Sequence, residues 1–250
     1  MHGVSMIKEN GIATLILSRG KVNALNEALV EQLHTDLMKL EKDETISVIL
    51  LKGEGKFFSF GFDVPEFLVY SRDEFTRFLR KFTDLYHHLF LCPKPTIAVI
   101  NGHAIAGGCM LATACDHRLM VARKAKISLN EISFGASVTS GAVEMLKYCV
   151  GQQDAQKILF SGGMYSAEEA HEMGLIDRIA EDSELMEVSK AMAQDYIDTD
   201  LVAFASIKRL IKGPVAKRMQ QREADSIKEF VDIWYSESTW KNLQSILIHA

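Results

Sequence analysis

"NGHAIAGGCMLATACDHRL" (101–119) is the stretch that decides how this chain is read. The run before it, "PTIAVI" (95–100), is short, β-branched and bounded by proline, as a buried strand is. From the paired glycines onward, "GGCMLATACD" has helical length and small residues that allow close packing. Gly107 and Gly108 therefore stand at a strand-to-helix junction, where glycine lets the chain approach a neighbour or ligand closely. The first N–H groups of a helix point outward, ready for a negatively charged oxygen. Two readings are open: a tight turn without chemistry, or a backbone site for an anion. His103, in the same stretch, reads as a residue that packs or caps the turn, with acid/base work as its alternative.

Working outward, "VSMIKENGIATLILSR" predicts a hairpin turning at Glu9-Asn10-Gly11. "NEALVEQLHTDLMKLEKD" carries Leu29, Leu33, Leu37 and Leu40 at helical spacing. "ISVILLKG" reads as a fully apolar strand, and a long amphipathic helix from about Asp73 to Leu91 holds His87 and His88. Beyond the glycines come two strands, "HRLMVA" (with His117) and "AKISLNEISFG", the second running into a turn. Residues 139–175 are helical in pattern with breaks at 161–163 and 172–175, and "LIDRIAE" is a short strand. From Ser183 the pattern is helical, interrupted at Gly213-Pro214. Strands alternating with helices, then helices alone, predict an α/β core over 1–190 and a helical section over 191–250. Phe230, Trp234, Tyr235 and Trp240 at helical spacing read as a surface for subunit assembly.

Composition narrows the function classes. A chain of 250 residues, 48% hydrophobic and 24% charged, buries a sizeable core. Its net charge of −5 supplies no basic face for nucleic acid. No apolar run reaches the roughly 20 residues that span a bilayer, no signal-peptide core is present, and "SILIHA" is not a peroxisomal tripeptide signal. Cys92, Cys109, Cys115 and Cys149 lack CxxC or metal-ligand spacing, so they read as free thiols of a reducing, cytoplasmic compartment, and no metal is expected.

Three stretches in order, "KVNALN" (21–26), "KFFSFGFD" (56–63) and "KPTIAVINGHAIAGGCMLATACDHRLM" (94–120), together resemble the crotonase superfamily, the enoyl-CoA hydratase/isomerase group. The resemblance covers nearly the whole chain. It implies a spiral of ββα turns, a helical C-terminal trimerisation section, homotrimers or dimers of trimers, and acyl-CoA thioester substrates of lipid metabolism. No separate cofactor is implied, since CoA is part of the substrate. It also implies an oxyanion hole of two backbone N–H groups, placed at Phe60, before the glycine of the FxxG-type loop, and at Gly107. Lys21, Asn23, Ala24, Ser59, Gly61 and Asp63 are implied for the CoA adenine and pantetheine, with Gly108 and Met110 beside the thioester. Lys21 or Lys56 would neutralise a CoA phosphate, or simply be solvated surface.

Met110 stands where hydratases of the family carry a carboxylate, and a thioether cannot act as a base. Glu131, in "ISLNEISFG", matches the family's other catalytic position, and "LNE" with the tail "QQREADSIKEFVDIWYSE" resembles monofunctional Δ3,Δ2-enoyl-CoA isomerases. One carboxylate is what a double-bond shift requires. Beneath apolar walls (Ile105, Met110, Leu129, Phe134) it is expected to have a raised pKa. Thr139 replaces the second acid of dienoyl isomerases, and Glu144 reads as helix surface. The competing readings are a hydratase or crotonase-type hydrolase, in which Ser137, Thr139 or His103 orients water, and a noncatalytic acyl-CoA-binding member.

Overall fold

The computed structural model describes residues 3–122 and 125–246. The chain opens with the expected hairpin. Strands β1 (Val4–Glu9) and β2 (Ile12–Leu17) pair antiparallel across Asn10-Gly11, both at positive φ, as a two-residue turn matched to strand twist requires. Helix α1 (Glu27–Lys42) is capped by the Asn26 side chain, which accepts from the Leu29 N–H, and its four expected leucines are all buried.

A two-strand unit then repeats. β3 (Val48–Gly53) and the short β4 (Phe57–Ser59) lead into α2 (Val64–Phe67) and α3 (Arg72–Leu91). β5 (Thr96–Ile100) and β6 (His103–Ile105) lead into α4 (Gly107–Ala114). β7 (His117–Val121) and β8 (Ile127–Ser128) lead through a 3-10 turn, Glu131–Phe134, into α5 (Ser140–Ser161), kinked at Gly151, and α6 (Ala167–Glu172). After β9 (Arg178–Ala180) the chain is helical: α7 (Leu185–Ile197), α8 (Leu201–Trp234) and α9 (Glu237–Leu243).

The first strand of each unit enters a six-stranded sheet, ordered β1-β2-β3-β5-β7-β9 and parallel after the first pair. Its inner strands are apolar on both faces, as a parallel sheet covered on each side must be. The second strands build a separate parallel sheet, β4-β6-β8. This is an α/β spiral of ββα turns with a long helical C-terminal region, the architecture the resemblance implied. Because Ser59 pairs with Ala104 and Ile105 with Ser128, the three loops leaving the small sheet emerge at one edge. The site is built there.

Two expectations fail in the helical region. α8 is not interrupted at Gly213-Pro214 but continues through both. Proline removes one helical hydrogen bond. Tertiary contacts on either side outweigh that loss: Lys208 and Lys212 each reach the partly buried Asp116 at 2.7 Å, and Val215, Ala216 and Met219 are buried one turn on. The aromatics at 230, 234, 235 and 240 are not an outer surface either. Phe230 and Trp234 are buried within the chain, against Phe75 of α3, and Tyr235 stacks on Trp240 while packing against the core. The exposed apolar residues of α8 lie in its first half instead: Val202, Ile207, Leu210 and Ile211.

Candidate active site

The loop Phe60–Asp63 is fixed first by backbone pairing with the segment 22–25. Phe60 N–H donates to the Val22 carbonyl (2.9 Å), Leu25 N–H to the Gly61 carbonyl (2.7 Å) and Asp63 N–H to the Leu25 carbonyl (3.0 Å). Arg19, which sequence reasoning passed over, clamps the two segments from the side. It reaches Asp63 at 2.6 Å, Glu66 at 2.9 Å and the Ala24 carbonyl at 3.1 Å. Asn23 is fully buried, its amide spanning the Glu54 and Phe57 carbonyls and the Arg19 N–H, and Ser59 donates to the Asn23 carbonyl. The side chains of Asn23, Ser59 and Asp63 are thus committed to holding this loop. Lys21 and Lys56 are exposed.

This pairing corrects the oxyanion assignment. The Phe60 N–H is occupied by Val22, so it cannot receive an oxyanion, although Phe60 does line the cavity described below. Gly61 N–H turns to the Ser59 hydroxyl (3.2 Å). Among the described residues the Phe62 N–H has no such partner, because its neighbours on both sides make the bonds to segment 22–25. The Phe62 ring is held edge-on by Phe78 and Phe82, with centroids 5.0 and 4.9 Å away. Each such pair contributes about 0.5–1.5 kcal/mol beyond burial.

The glycine junction meets this loop. Ala106 adopts φ 49°, ψ −119°, a conformation costly for a residue with a side chain, and thereby turns the Gly107 N–H out at the start of α4. Among the described residues no side chain caps this helix, and its first N–H groups are unspent. Gly61, at φ 93°, comes so near that a Cβ on it would stand 3.2 Å from the Gly107 nitrogen. On Gly108 a Cβ would fall 2.4 Å from the Ser59 carbonyl oxygen, so here the need for glycine is steric. Gly108→Ala is therefore expected to cost about 1–3 kcal/mol of overpacking, read as a fall of several degrees in Tm.

Around this junction lies a cavity of about 230 Å³. Phe60, Phe62, Ile105, Ala106 and Gly107 form one side, Asn130 to Phe134 with the exception of Ile132 another, and Phe230, Trp234 and Ile246 of the C-terminal region the third. Glu131 is the one titratable side chain among its lining residues, 4% exposed, with Oε2 lacking any hydrogen-bond partner. Burial away from water pushes its carboxyl from 4.5 up to about 8. Asn130, whose side-chain oxygen is also buried without a partner among the described residues, and Ser133 both line the cavity.

Other candidates fall outside the cavity. Met110 is buried in the core and does not line it, because one helical turn carries its side chain away from the junction. Leu129 and Ser137 line a separate cavity of about 370 Å³ on the far side of the 3-10 turn. Thr139 is 2% exposed and bonded to the Tyr86 hydroxyl at 2.8 Å. His103 accepts from the Lys126 N–H, packs on Phe57, and is held below its ordinary pKa by burial. Glu144 pairs with Arg218 (2.7 Å) and Lys147 (3.3 Å). Burial raises the Cys92 thiol to about 11 and Cys115 to about 12, which leaves both as unreactive core groups. Missed from sequence were Phe62, Asn130, Ser133 and the aromatic wall from α8. No sequence signal marked the first, because which N–H of the loop stays free is set by its pairing with the distant segment 22–25. None of the described helices is long and apolar enough to cross a membrane, and no three described His, Cys, Asp or Glu side chains are placed to hold a metal ion.

Known proteins are similar to this chain over nearly their whole length. Residues 7–245 match the enoyl-CoA hydratase/isomerase family. A probable enoyl-CoA hydratase of Bacillus subtilis is 30% identical over 249 residues, 99% of this chain and 96% of its own length. Human mitochondrial delta3-delta2-enoyl-CoA isomerase superposes with a TM-score of 0.93 over 97% of this chain and 96% of the other; at 23% identity this is a likeness of fold alone. An enoyl-CoA hydratase from Bacillus halodurans superposes at 0.90 with 27% identity, over 98% of this chain and 100% of the other. Agreement over residues 7–245, from the first strand to beyond the last helix, leaves one assignment: the chain belongs to the enoyl-CoA hydratase/isomerase family, within the crotonase superfamily.

Proposed function

We propose that this family enzyme, acting on acyl-CoA, shifts the double bond of a 3-enoyl-CoA to the 2-position. The observation that carries the reading is the cavity's single carboxylate, buried beneath apolar walls beside two unspent backbone N–H groups. Glu131 removes a proton from C2. Negative charge moves onto the thioester oxygen, where the N–H groups of Phe62 and Gly107 receive it; preorganised donors in a dry site are worth several kcal/mol. The same carboxyl then returns the proton at C4. Phe230 and Trp234 exclude water that would quench the dienolate.

A hydratase is the second reading, favoured by Asn130 and Ser133, which line the cavity and offer acceptor and hydroxyl groups to a water beside Glu131. Incubation with 3-enoyl- and 2-enoyl-CoA of several lengths, following isomer and 3-hydroxy product together, separates the two. Isomerisation should dominate, with water addition at least about tenfold slower. Comparable rates of 3-hydroxyacyl-CoA formation would give the hydratase first place.

CoA itself is proposed to lie along the backbone of Lys21 to Ala24 and Gly61, with Lys21 or Lys56 near a phosphate. The exposed residues Val202, Ile207, Leu210 and Ile211 support assembly into a trimer or a dimer of trimers through the first half of α8. The four free cysteines support a reducing, cytoplasmic setting.

A further inference from the structure

Helix α5 begins without a cap of its own: Thr139, its N-cap residue, makes no side-chain bond to the helix. Its first N–H groups are satisfied by a different helix. Ser140 N–H donates to Ser226 Oγ at 2.9 Å, and Gly141 N–H donates to Glu223 Oε2 at 2.8 Å. Glu223 and Ser226 lie three apart on α8 and so share one face. The other Glu223 oxygen accepts from the Tyr86 hydroxyl of α3, which is also bonded to Thr139. Glu223 is 9% exposed, and only glycine fits at 141, because a Cβ there would meet the Tyr86 ring at 2.4 Å. A buried carboxylate is tolerated when such bonds surround it.

The segment that ends at this cap begins at Glu131. Its middle is held by α9, where Thr239 Oγ1 donates to the Gly135 carbonyl at 2.7 Å and Asn242 to the Phe134 carbonyl at 3.2 Å. α8 in turn carries Phe230 and Trp234, the cavity wall. One rigid helix therefore bears both the wall and the anchor of the loop opposite.

We propose that Glu223 is a positioning residue: by capping α5 from α8 it sets the loop that carries Glu131 and registers it against the Phe230–Trp234 wall. The inference rests on Glu131 being the base. Misplacing a reacting group by about 1 Å costs on the order of a hundredfold in rate. Folded Glu223→Ala is expected to lose about 10- to 100-fold in kcat with KM changed less than about threefold. The pH midpoint of kcat/KM should fall by about one unit as water reaches Glu131. Glu223→Gln should recover kcat to within about threefold of the parent. Its amide oxygen still accepts from Gly141, and its NH2 donates to Tyr86, whose proton turns to Thr139. Amide hydrogen exchange over residues 131–141 should quicken in Glu223→Ala and be restored in Glu223→Gln.

A folded Glu223→Ala with unchanged kcat, pH midpoint and exchange overturns the proposal, as does a Gln variant no better than Ala. Should Glu223→Ala not fold, Ser226→Ala removes only the acceptor for Ser140. It is expected to lower kcat by about three- to tenfold, and an unchanged kcat overturns the proposal equally. The exchange measurement separates this inference from the reading beneath it. If Glu131→Gln keeps its turnover, the base assignment falls while exchange still decides the role of Glu223. If Glu131 is essential and Glu223→Ala moves nothing, the positioning role alone falls.

Discussion

Glu131→Gln should reduce isomerisation of a 3-enoyl-CoA by at least about a thousandfold while leaving CoA-ester binding within a few-fold of the parent. The substitution keeps the shape of the side chain and removes only the group that accepts the proton. Binding, by contrast, draws on backbone and apolar contacts that the change leaves alone. Stopped-flow turnover beside calorimetric binding of a saturated acyl-CoA measures both quantities. A Gln variant turning over at a near-parental rate would remove Glu131 from the mechanism.

The raised pKa of Glu131 gives this prediction a pH signature. Only the carboxylate is a base, so kcat/KM should climb tenfold per pH unit below about pH 8 and level off above it. The linked effect on stability has the opposite sense. The folded protein holds Glu131 protonated up to about pH 8, whereas the unfolded chain releases that proton near 4.5. Its contribution is therefore fully present below pH 4.5 and is lost as pH rises through 8. Gln stays neutral throughout, so Glu131→Gln should be more stable than its parent by a few kcal/mol at pH 9, with the gap closing toward pH 4.5. Thermal unfolding across that range reads the difference; a gap independent of pH would show that Glu131 is ionised in the folded state.

The sequence made some of this site legible because local pattern and tertiary role coincide. Asn10-Gly11 specifies its hairpin locally, and Leu29, Leu33, Leu37 and Leu40 need only one face of a helix to find the core. Ordered motifs likewise identified which loops meet. They did not reveal which N–H within a loop remains free, because that depends on pairing with a distant segment: Val22 occupies Phe60 and leaves Phe62. Helical periodicity marked Phe230 and Trp234 as apolar but is silent on whether they face a neighbouring subunit or their own cavity. Pro214 signalled a break that flanking buried contacts override. Met110 shows the same limit: it was expected beside the thioester from its spacing after Gly107, yet one turn of helix carries its side chain into the core and away from the cavity.

Gly107→Pro should lower kcat by about two to three orders of magnitude relative to Gly107→Ala, and the comparison between the two isolates one hydrogen-bond donor. Gly107 is the first residue of α4, the position where proline is best accepted in a helix, because that N–H has no partner within the helix. Proline there removes the donor with little loss of helical bonding. Both variants add a Cβ, which would sit 3.1 Å from Leu25 Cδ1 and from the Phe62 ring, so crowding is common to the two. Alanine, with its N–H intact, should therefore lose only about tenfold or less through that crowding. Proline also disfavours the unusual backbone of Ala106 before it, so near-UV circular dichroism and assembly state must match between the variants. Given that match, equal rates in the two would mean that the Gly107 N–H carries no charge in the transition state. The thioester oxygen would then rest on Phe62 alone, and the paired glycines would be a matter of packing against Ser59 and Phe62 only.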